Sequence, residues 1–414
     1  MDKFTQKTLQ LDPEKSSGIL KVEKVFNLIE DHDYINLVKK YFNYELIKDE
    51  LINIDSIDEV YSEIKIINKN YSRWSVVAQT KHIGIGEVTK ITDEKEVKNI
   101  VFKFDEYAEL SGEIKKNLIA KAIYNSKNSY LDSYSMTKYA NYLFKIKEPK
   151  LAQLNVDHFK NLANESDAHN KYKSYRLVNN DGETFLRGIT STDKYFEYGV
   201  DFTFAVAMLS LHQNMKNNDG LKYAITSVSL CESKLEIIAS EKHRINVENI
   251  GKIGTSIKIT TNDLGEGSLN FQNIINVGNN VRHGFFLIPK NTKLNQSKVT
   301  ISHTTKPENT LDTLTNMSYV FNTSEDFIKE INDIKGIKTP DELRYKIFTK
   351  IENPRSSLKG IKGLSDIFKR KIDNEISGFA KLIEMCEKAE ELNLDYELKD
   401  KLRYIVSDII LGRK

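Results

Sequence analysis

Between Tyr172 and His303 the sequence alternates apolar runs of strand length with clusters of turn residues. Residues 179–182 read Asn-Asn-Asp-Gly and separate two such runs, at 175–178 and 184–190. Asn, Asp and Gly adopt positive φ angles more readily than other residues, so this tetrapeptide is typical of a β-hairpin turn. The pattern predicts an antiparallel pair of strands at the start of this region.

A buried helix and four further strands are predicted after the hairpin. Within residues 198–215, Val200, Phe204 and Met208 recur at four-residue spacing, which is close to the period of a helix. Strand-like runs then follow at residues 222–231, 235–240, 253–261 and 268–277. This order favours an α+β fold, with a largely antiparallel sheet and packed helices, over a doubly wound parallel sheet.

The first 150 residues predict a helical arm followed by the first half of a sheet. Val22 and Val25 belong to a helical pattern that extends to about Asn53. The strand-like runs that follow are residues 59–67, 72–80, 86–91 and 99–104. Residues 107–147 return to helical spacing, and Pro149 is expected to end that helical region.

The chain beyond Asn322 has the pattern of a helical tail. Thr339 is a candidate N-cap, because Pro340 after it suits the first position of a helix. The tail separates its charges: residues 354–371 carry six basic residues and one acid, whereas the charged residues of 373–400 are mostly acidic. We expect three consecutive segments, namely a helical N-terminal arm at 1–54, an α+β core domain at 55–305 and a helical C-terminal region at 322–414.

Composition argues against several classes of protein. The chain has 61 Lys and Arg against 59 Asp and Glu, so no global field points to nucleic acid or membrane. No apolar run approaches the roughly 18 residues that cross a bilayer, and the first residues do not resemble a signal peptide. These features predict a cytoplasmic protein without membrane association. Cys231 and Cys386 are too few for a disulfide framework or a cysteine-based zinc site.

The sequence contains no recognisable catalytic motif. A phosphate-binding loop, a zinc-protease helix, a nucleophile elbow and Cys/His pairs at zinc spacing are all missing. Asp263 and Glu266 are able to hold a divalent cation, although a glycine-containing hairpin turn also accounts for them. We therefore expect no catalytic residue, no metal and no cofactor, with an enzyme of unrecognised site as an alternative.

Basic residues of the predicted sheet and of the tail are the candidate nucleic-acid contacts. Proteins that bind single strands combine cations that reach phosphates with aromatic rings on which bases stack. The candidates are Lys234, Lys242, His243, Arg244, Lys258, Arg282, Lys369 and Arg370. The central ones lie near Tyr195, Tyr198, Tyr223 and Phe285 in the sequence. A solvated face of the sheet is the alternative explanation for each of these cations.

Two segments resemble a family of uncharacterised phage- and plasmid-like proteins. Residues 186–195 read L-R-G-I-T-S-T-D-K-Y and are similar to that family's strand and turn, with Lys194 in place of an arginine. Residues 260–269 read T-T-N-D-L-G-E-G-S-L and resemble a second family segment. After it, residues 277–280 lack the family's cysteine. The resemblance covers about 100 of the 414 residues.

The family's layout of strand, helix and strand looks like that of phage single-strand annealing proteins, which form rings that hold single-stranded DNA in a basic groove. The leading hypothesis is therefore a phage or mobile-element protein that binds single-stranded DNA or RNA, as a strand-annealing or recombination factor, and forms homo-oligomers. The alternative is a protein–protein interaction module, such as an anti-defence, defence or virion-associated protein, that docks a partner through its C-terminal helices. The nearly balanced charge favours this alternative.

Overall fold

The computed structural model describes residues 4–9, 11, 18–88, 100–146, 148–162, 172–247, 251–265, 267–278, 284–289, 298–306, 308–310, 339–370 and 375–412. Helices and largely antiparallel sheets confirm the predicted α+β class. The chain forms two compact units, of which unit 1 contains residues 1–64, 198–261 and 268–414, and unit 2 contains residues 65–197 and 262–267. The division into three consecutive segments stays a prediction, because the units group residues by contact rather than by position along the chain.

The elements are numbered in chain order over the described residues. The strands are β1 (Lys7–Thr8), β2 (Ile19–Lys21), β3 (Leu51–Asn53), β4 (Ser72–Gln79), β5 (Ile83–Val88), β6 (Ile100–Phe104), β7 (Tyr107–Glu109), β8 (Ile114–Lys115), β9 (Leu118–Ala122), β10 (Tyr172–Asn180), β11 (Glu183–Ser191), β12 (Tyr223–Leu230), β13 (Lys234–Glu241), β14 (Ile245–Val247), β15 (Gly251–Asn262), β16 (Ser268–Gly278), β17 (Phe285–Leu287) and β18 (Lys298–Ser302). The helices are α1 (Val22–Asn27), α2 (Ile35–Tyr41), α3 (Tyr44–Ile47), α4 (Ile57–Asn70), α5 (Ser126–Asp132), α6 (Thr137–Lys145), α7 (Pro149–Leu162), α8 (Gly199–Asn217), α9 (Pro340–Ile351), α10 (Leu364–Phe368), α11 (Phe379–Glu390) and α12 (Tyr396–Ile410).

Unit 1 is built on a sheet in which the described strands follow the order β1, β12, β13, β15, β16 and β17, with β14 beside β15 and β18 beside β16. β15 and β16 pair antiparallel from Lys252 opposite Gly278 to Thr260 opposite Asn270. Both strands are buried along nearly their whole length. Helix α8 contacts β13, while α11 and α12 contact β17. The buried positions of β15 and β16 include polar side chains such as Ser256 and Asn276 as well as apolar ones.

Unit 2 is built on a second sheet, in which the described strands follow the order β5, β6, β9, β11, β10, β4, β7 and β8. The predicted hairpin is confirmed as β10 and β11. Its turn places Asp181 at φ 52° and Gly182 at φ 80°, and Asn179 Oδ1 accepts the Gly182 N–H at 3.2 Å. Apolar residues of this sheet pack against α5, α6 and α7 in one core, which includes Phe102, Tyr130, Phe144, Val156 and Leu186.

Most of the predicted central elements are confirmed. The buried helix is α8, and the four predicted strands are β12, β13, β15 and β16. In the tail, α9 to α12 confirm the helical pattern from Pro340 onward, and residues 322–338 lie outside the described part of the chain. Thr339 occupies the N-cap position of α9, although its side chain makes no capping hydrogen bond among the described residues.

Two predicted elements were wrong because the period was misjudged. Residues 59–67 belong to helix α4 rather than a strand, since Val60, Ile64 and Ile67 form one buried face at helical spacing. Residues 107–122 form β7, β8 and β9 rather than a helix. In β9, Ala120 and Ala122 are buried while their neighbours point outward, which is the alternation of a strand.

Smaller corrections concern Pro149, the N-terminal arm and β5. Pro149 begins α7 instead of ending a helix, because its fixed φ suits the first helical position. The arm contains the predicted helices, but its ends, β2 and β3, pair as antiparallel strands. β5 covers residues 83–88, and residues 89–91 of the predicted strand lie outside the described part.

Candidate functional site

Two of the predicted nucleic-acid contacts, Lys234 and Lys258, pair with carboxylates of α12. Lys258 Nζ lies 2.5 Å from Asp400 Oδ2, and the lysine side chain is only 3% exposed. Lys234 Nζ lies 2.5 Å from Glu397 Oε1. Lys258 is buried, so reaching a phosphate would require it to abandon Asp400, which is strongly unfavourable. Lys234 is less buried, and its ammonium group is likewise occupied by Glu397. Their surroundings favour a structural role for both lysines.

The same helix carries Arg403, the centre of a buried ion network. Its Nη1 lies 2.7 Å from Glu236 Oε2 and 3.0 Å from Asp400 Oδ1, and its Nε lies 2.7 Å from Glu390 Oε1. Burial disfavours the charged guanidinium, yet attraction to Glu236 and Glu390 outweighs it and holds the pKa of Arg403 above its ordinary value. The network joins α12 to β13 and α11, so it positions elements of unit 1.

The three basic residues 242–244, between β13 and β14, lie in different surroundings. Lys242 forms an ion pair with Asp55 and His243 is exposed. Arg244 is half-buried, and its Nη2 donates to the carbonyl of Lys252 and to Asn276 Oδ1, both at 3.0 Å. Burial lowers the pKa of Arg244, although Glu387 opposes this shift. Arg244 is thus part of the interior hydrogen bonding of the sheet.

The tail residues and Arg282 complete the predicted set. Lys369 is exposed after α10, and Arg370 Nε lies 2.8 Å from Asp341 Oδ2. Arg282 lies outside the described residues. The seven described residues therefore occupy three places in unit 1, namely beneath α12, at the end of β13 and after α10. Their nucleic-acid role stays a prediction.

The candidate cation site at Asp263 is a hairpin tip that belongs to unit 2. The Leu264 N–H donates to Asn262 Oδ1 at 3.0 Å, and Gly265 has φ 82°, which confirms the predicted turn. Glu266 lies outside the described residues. Within the part of the chain that is described, no group of three or more His, Cys, Asp and Glu side chains is arranged to hold a metal ion.

Unit 2 contains an open pocket of about 580 Å³ that sequence reasoning did not single out. Its lining consists of Ser129 from α5, Tyr172 and Lys173 from the start of β10, and residues 189–194 at and beyond the end of β11. We call it the unit 2 pocket. The two strand ends meet here because β10 and β11 pair antiparallel, with Lys173 opposite Ser191.

The unit 2 pocket combines cations, hydroxyl groups and an aromatic ring. Lys173 Nζ lies 2.6 Å from Ser133 Oγ, and burial lowers the pKa of this lysine while Asp132 partly opposes the shift. Lys194 is exposed, and the Tyr172 side chain is 59% exposed. Hydroxyl groups come from Ser129, Thr190, Ser191 and Thr192. Ammonium and hydroxyl donors suit a phosphate, and an exposed ring suits a stacked base.

Two buried arginines hold in place the segment at the end of β11 and after it, which borders the pocket. Arg176 Nη1 and Arg187 Nη2 lie 2.8 and 2.5 Å from the two carboxylate oxygens of Glu197. Arg176 Nε donates to Thr190 Oγ1 at 3.4 Å, and its guanidinium lies 4.1 Å from the ring centroid of Tyr195. Desolvation alone would raise the pKa of Glu197, but attraction to Arg187 and Arg176 lowers it to about 2. The carboxylate is therefore charged at neutral pH and keeps both arginines in place.

A signal for the pocket is present in the sequence. Residues 190–192 read Thr-Ser-Thr, and Asp193 and Lys194 follow directly. The hairpin turn fixes the register of the two strands and brings this run opposite Lys173. Sequence reasoning named Lys194 only within the family resemblance, and it did not extend the register of the hairpin to its open end.

No family model, no curated protein and no solved structure matches the chain. The resemblance to phage- and plasmid-like proteins accordingly stays a prediction. Among the helices of the described ranges, none combines the length and apolar character needed to span a bilayer.

Proposed function

We propose that the protein binds single-stranded nucleic acid and that the unit 2 pocket receives one nucleotide of the strand. The observation that supports this proposal is the meeting of Lys173, Lys194 and Tyr172 around an open volume of about 580 Å³. That volume falls within the roughly 300–1,000 Å³ of pockets that hold small molecules. A base enters such a pocket only when it is unstacked from its neighbours, which favours single strands over duplexes.

Each lining group has a separate task in this proposal. Lys173 is oriented by Ser133 and pairs with a phosphate. The phosphate also favours the charged form of Lys173, which burial disfavours. Lys194, which is exposed, approaches the phosphate from solvent. Tyr172 offers its ring to the base, and the hydroxyl groups of β11 donate to phosphate or sugar oxygens. Asp193 accepts hydrogen bonds from base or sugar donors.

The ligand class agrees with the sequence hypothesis, but the contact residues differ. Lys234, Lys258 and Arg244 serve the interior of unit 1 in this proposal, because their charged groups already have partners there. His243 and Lys369 are exposed in unit 1, and their nucleic-acid role stays a prediction. Oligomer formation and a phage or mobile-element origin stay predictions.

The test is fluorescence anisotropy of the full chain with a labelled 20-residue oligothymidylate and with a duplex of equal length. We expect the single strand to bind more tightly, and K173A/K194A to weaken its binding about tenfold or more. K103A/K116A is the matched control, because both lysines are exposed in unit 2 and their removal deletes the same charge. This control is expected to change the Kd less than about threefold.

Tyr172 separates stacking from charge. Tyr172→Ala should weaken binding by about 1–3 kcal/mol, whereas Tyr172→Phe retains the ring and should bind as the unaltered chain does. No binding at low salt, or equal losses in K173A/K194A and K103A/K116A, would contradict the proposal.

A further inference from the structure

Helices α6 and α7 present a set of large apolar side chains to solvent. The exposed fractions are 49% for Tyr139, 58% for Tyr142, 46% for Ile146, 42% for Leu151 and 65% for Leu154. We call these five residues the α6–α7 face. Single exposed apolar residues are common, but five on two helices that contact each other are the kind of set that marks an interaction surface.

The five residues lie away from the sides of the two helices that are buried in the core of unit 2. Ala140, Leu143 and Phe144 of α6, and Ala152 and Val156 of α7, all belong to the core of unit 2. Since side chains three or four positions apart lie on one helix face, Tyr139 and Tyr142 form one stripe, and Leu151 and Leu154 form another.

The two stripes meet at the connection between the helices. Ile146 directly follows α6, and Leu151 is in the first turn of α7. Only residues 146–148 join the helices, which pack against each other. Two packed helices with apolar residues on their solvent side offer a surface on which a third helix can pack.

The surrounding charge identifies the chemistry of the occupant. Residues 138–160 contain five lysines against Glu148 and Asp157, and Lys138, Lys145 and Lys150 are exposed. A two-fold contact with a second copy would place these lysines against one another, which is unfavourable. Nucleic acid fits less well, because only Tyr139 and Tyr142 offer rings for stacking, whereas the other three residues of the face, Ile146, Leu151 and Leu154, are aliphatic.

We propose that the α6–α7 face docks an acidic amphipathic helix of a protein partner. The apolar side of that helix packs on the five residues, and its carboxylates face the lysines on both sides. Tyr142 and Leu154 are the principal anchors, since they have the largest exposed fractions of the set. This interaction is separate from nucleic-acid binding and does not depend on the unit 2 pocket.

The test is a selection of helical 16-residue peptides, displayed on yeast and unbiased in charge, for binding to the full chain. Binders are counter-selected against Y142S/L154S, which removes two apolar contacts without adding charge. L110S/I114S is the matched control, because Leu110 and Ile114 are 79% and 66% exposed at another place in unit 2. Circular dichroism establishes that both variants are folded.

We expect face-dependent binders with net negative charge and apolar residues at positions i, i+3, i+4 and i+7. A synthetic form of such a peptide should bind Y142S/L154S about tenfold or more weakly and L110S/I114S without change. A version of the peptide with lysine in place of each glutamate should also bind the unaltered chain about tenfold or more weakly.

Three outcomes would overturn the proposal. The first is the absence of binders that depend on the face, and the second is a set of binders without acidic bias. The third is a different occupant, seen either as weaker oligonucleotide binding by Y142S/L154S or as a dimer in sedimentation velocity that this variant abolishes.

Discussion

Lys258 and its partner Asp400 are 142 residues apart in the chain. The sequence around Lys258 predicts a charged strand residue, and it contains no sign of the carboxylate on α12. Burial and long-range pairing decide whether a cation is available to a ligand, and neither is a local property. This is why the predicted set contained paired lysines such as Lys234 and Lys258, while Lys173, which borders the unit 2 pocket, was not named.

Removing one partner from the buried ion network should destabilise the protein strongly. Arg403→Met leaves Glu236 and Glu390 buried without their cation, so the free energy of unfolding should fall by about 3–5 kcal/mol. Urea unfolding followed by circular dichroism measures this change. Lys381→Ala breaks an exposed pair with Glu384 and should lower the free energy of unfolding by less than about 1 kcal/mol. Similar losses in the two variants would contradict the structural role of Arg403.

Glu197 should make stability depend on pH in the acid range. Its pKa is about 2 in the folded protein and near 4.5 in the unfolded chain, so its contribution is present above pH 4.5 and is lost as pH falls toward 2. The Glu197 side chain is 37% exposed, so screening reduces the effect to about 1–2 kcal/mol.

Urea midpoints measured from pH 6 to pH 3 test this dependence. Glu197→Gln should be less stable than the unaltered chain at pH 6, and the difference should shrink as the pH falls. An unchanged difference across the range would show that Arg176 and Arg187 do not depend on the charge of Glu197.

At the scale of elements, prediction succeeded where periodicity and turn chemistry agreed. The hairpin of β10 and β11 has a turn whose positive φ angles suit Asp181 and Gly182, and α8 has an apolar pattern of helical period. Prediction failed at residues 107–122, where apolar residues occur at spacings that fit both a helix and short strands. Leu110 and Ile114 fit the helical spacing predicted for this segment, yet they lie outside any helix and the structure exposes both.

Part of the unit 2 pocket follows from the predicted hairpin. A correct hairpin register already places the Thr-Ser-Thr run of β11 near Lys173, to within the one-residue shift of the bulge between Arg176 and Leu177. The contribution of Ser129 was not predictable in this way, because α5 contacts β11 through the tertiary fold and no local pattern places it there. Likewise, the parallel pairing of β9 with β11 depends on the tertiary fold rather than on any local pattern.

For the whole molecule, the near balance of 61 basic and 59 acidic residues gives no global field that attracts phosphates, so binding depends on local groups of cations. Many basic residues are paired internally, as Lys258, Lys242 and Arg403 are. The salt dependence of binding measures how many phosphates a protein neutralises, since each releases condensed counterions. It therefore distinguishes a pocket with two lysines from a groove lined by all eight residues predicted from the sequence.

The slope of log K against log salt concentration is about −0.7 for each phosphate neutralised on a single strand. Contacts from Lys173 and Lys194 alone predict a slope of about −1.4, whereas the seven Lys and Arg residues of the predicted set give about −4.9. Anisotropy titrations of oligothymidylate between 50 and 200 mM salt measure the slope. K173A/K194A should bring it close to zero, and K103A/K116A should leave it unchanged. A slope steeper than about −4 would contradict the pocket and restore the extended basic groove as the nucleic-acid interface.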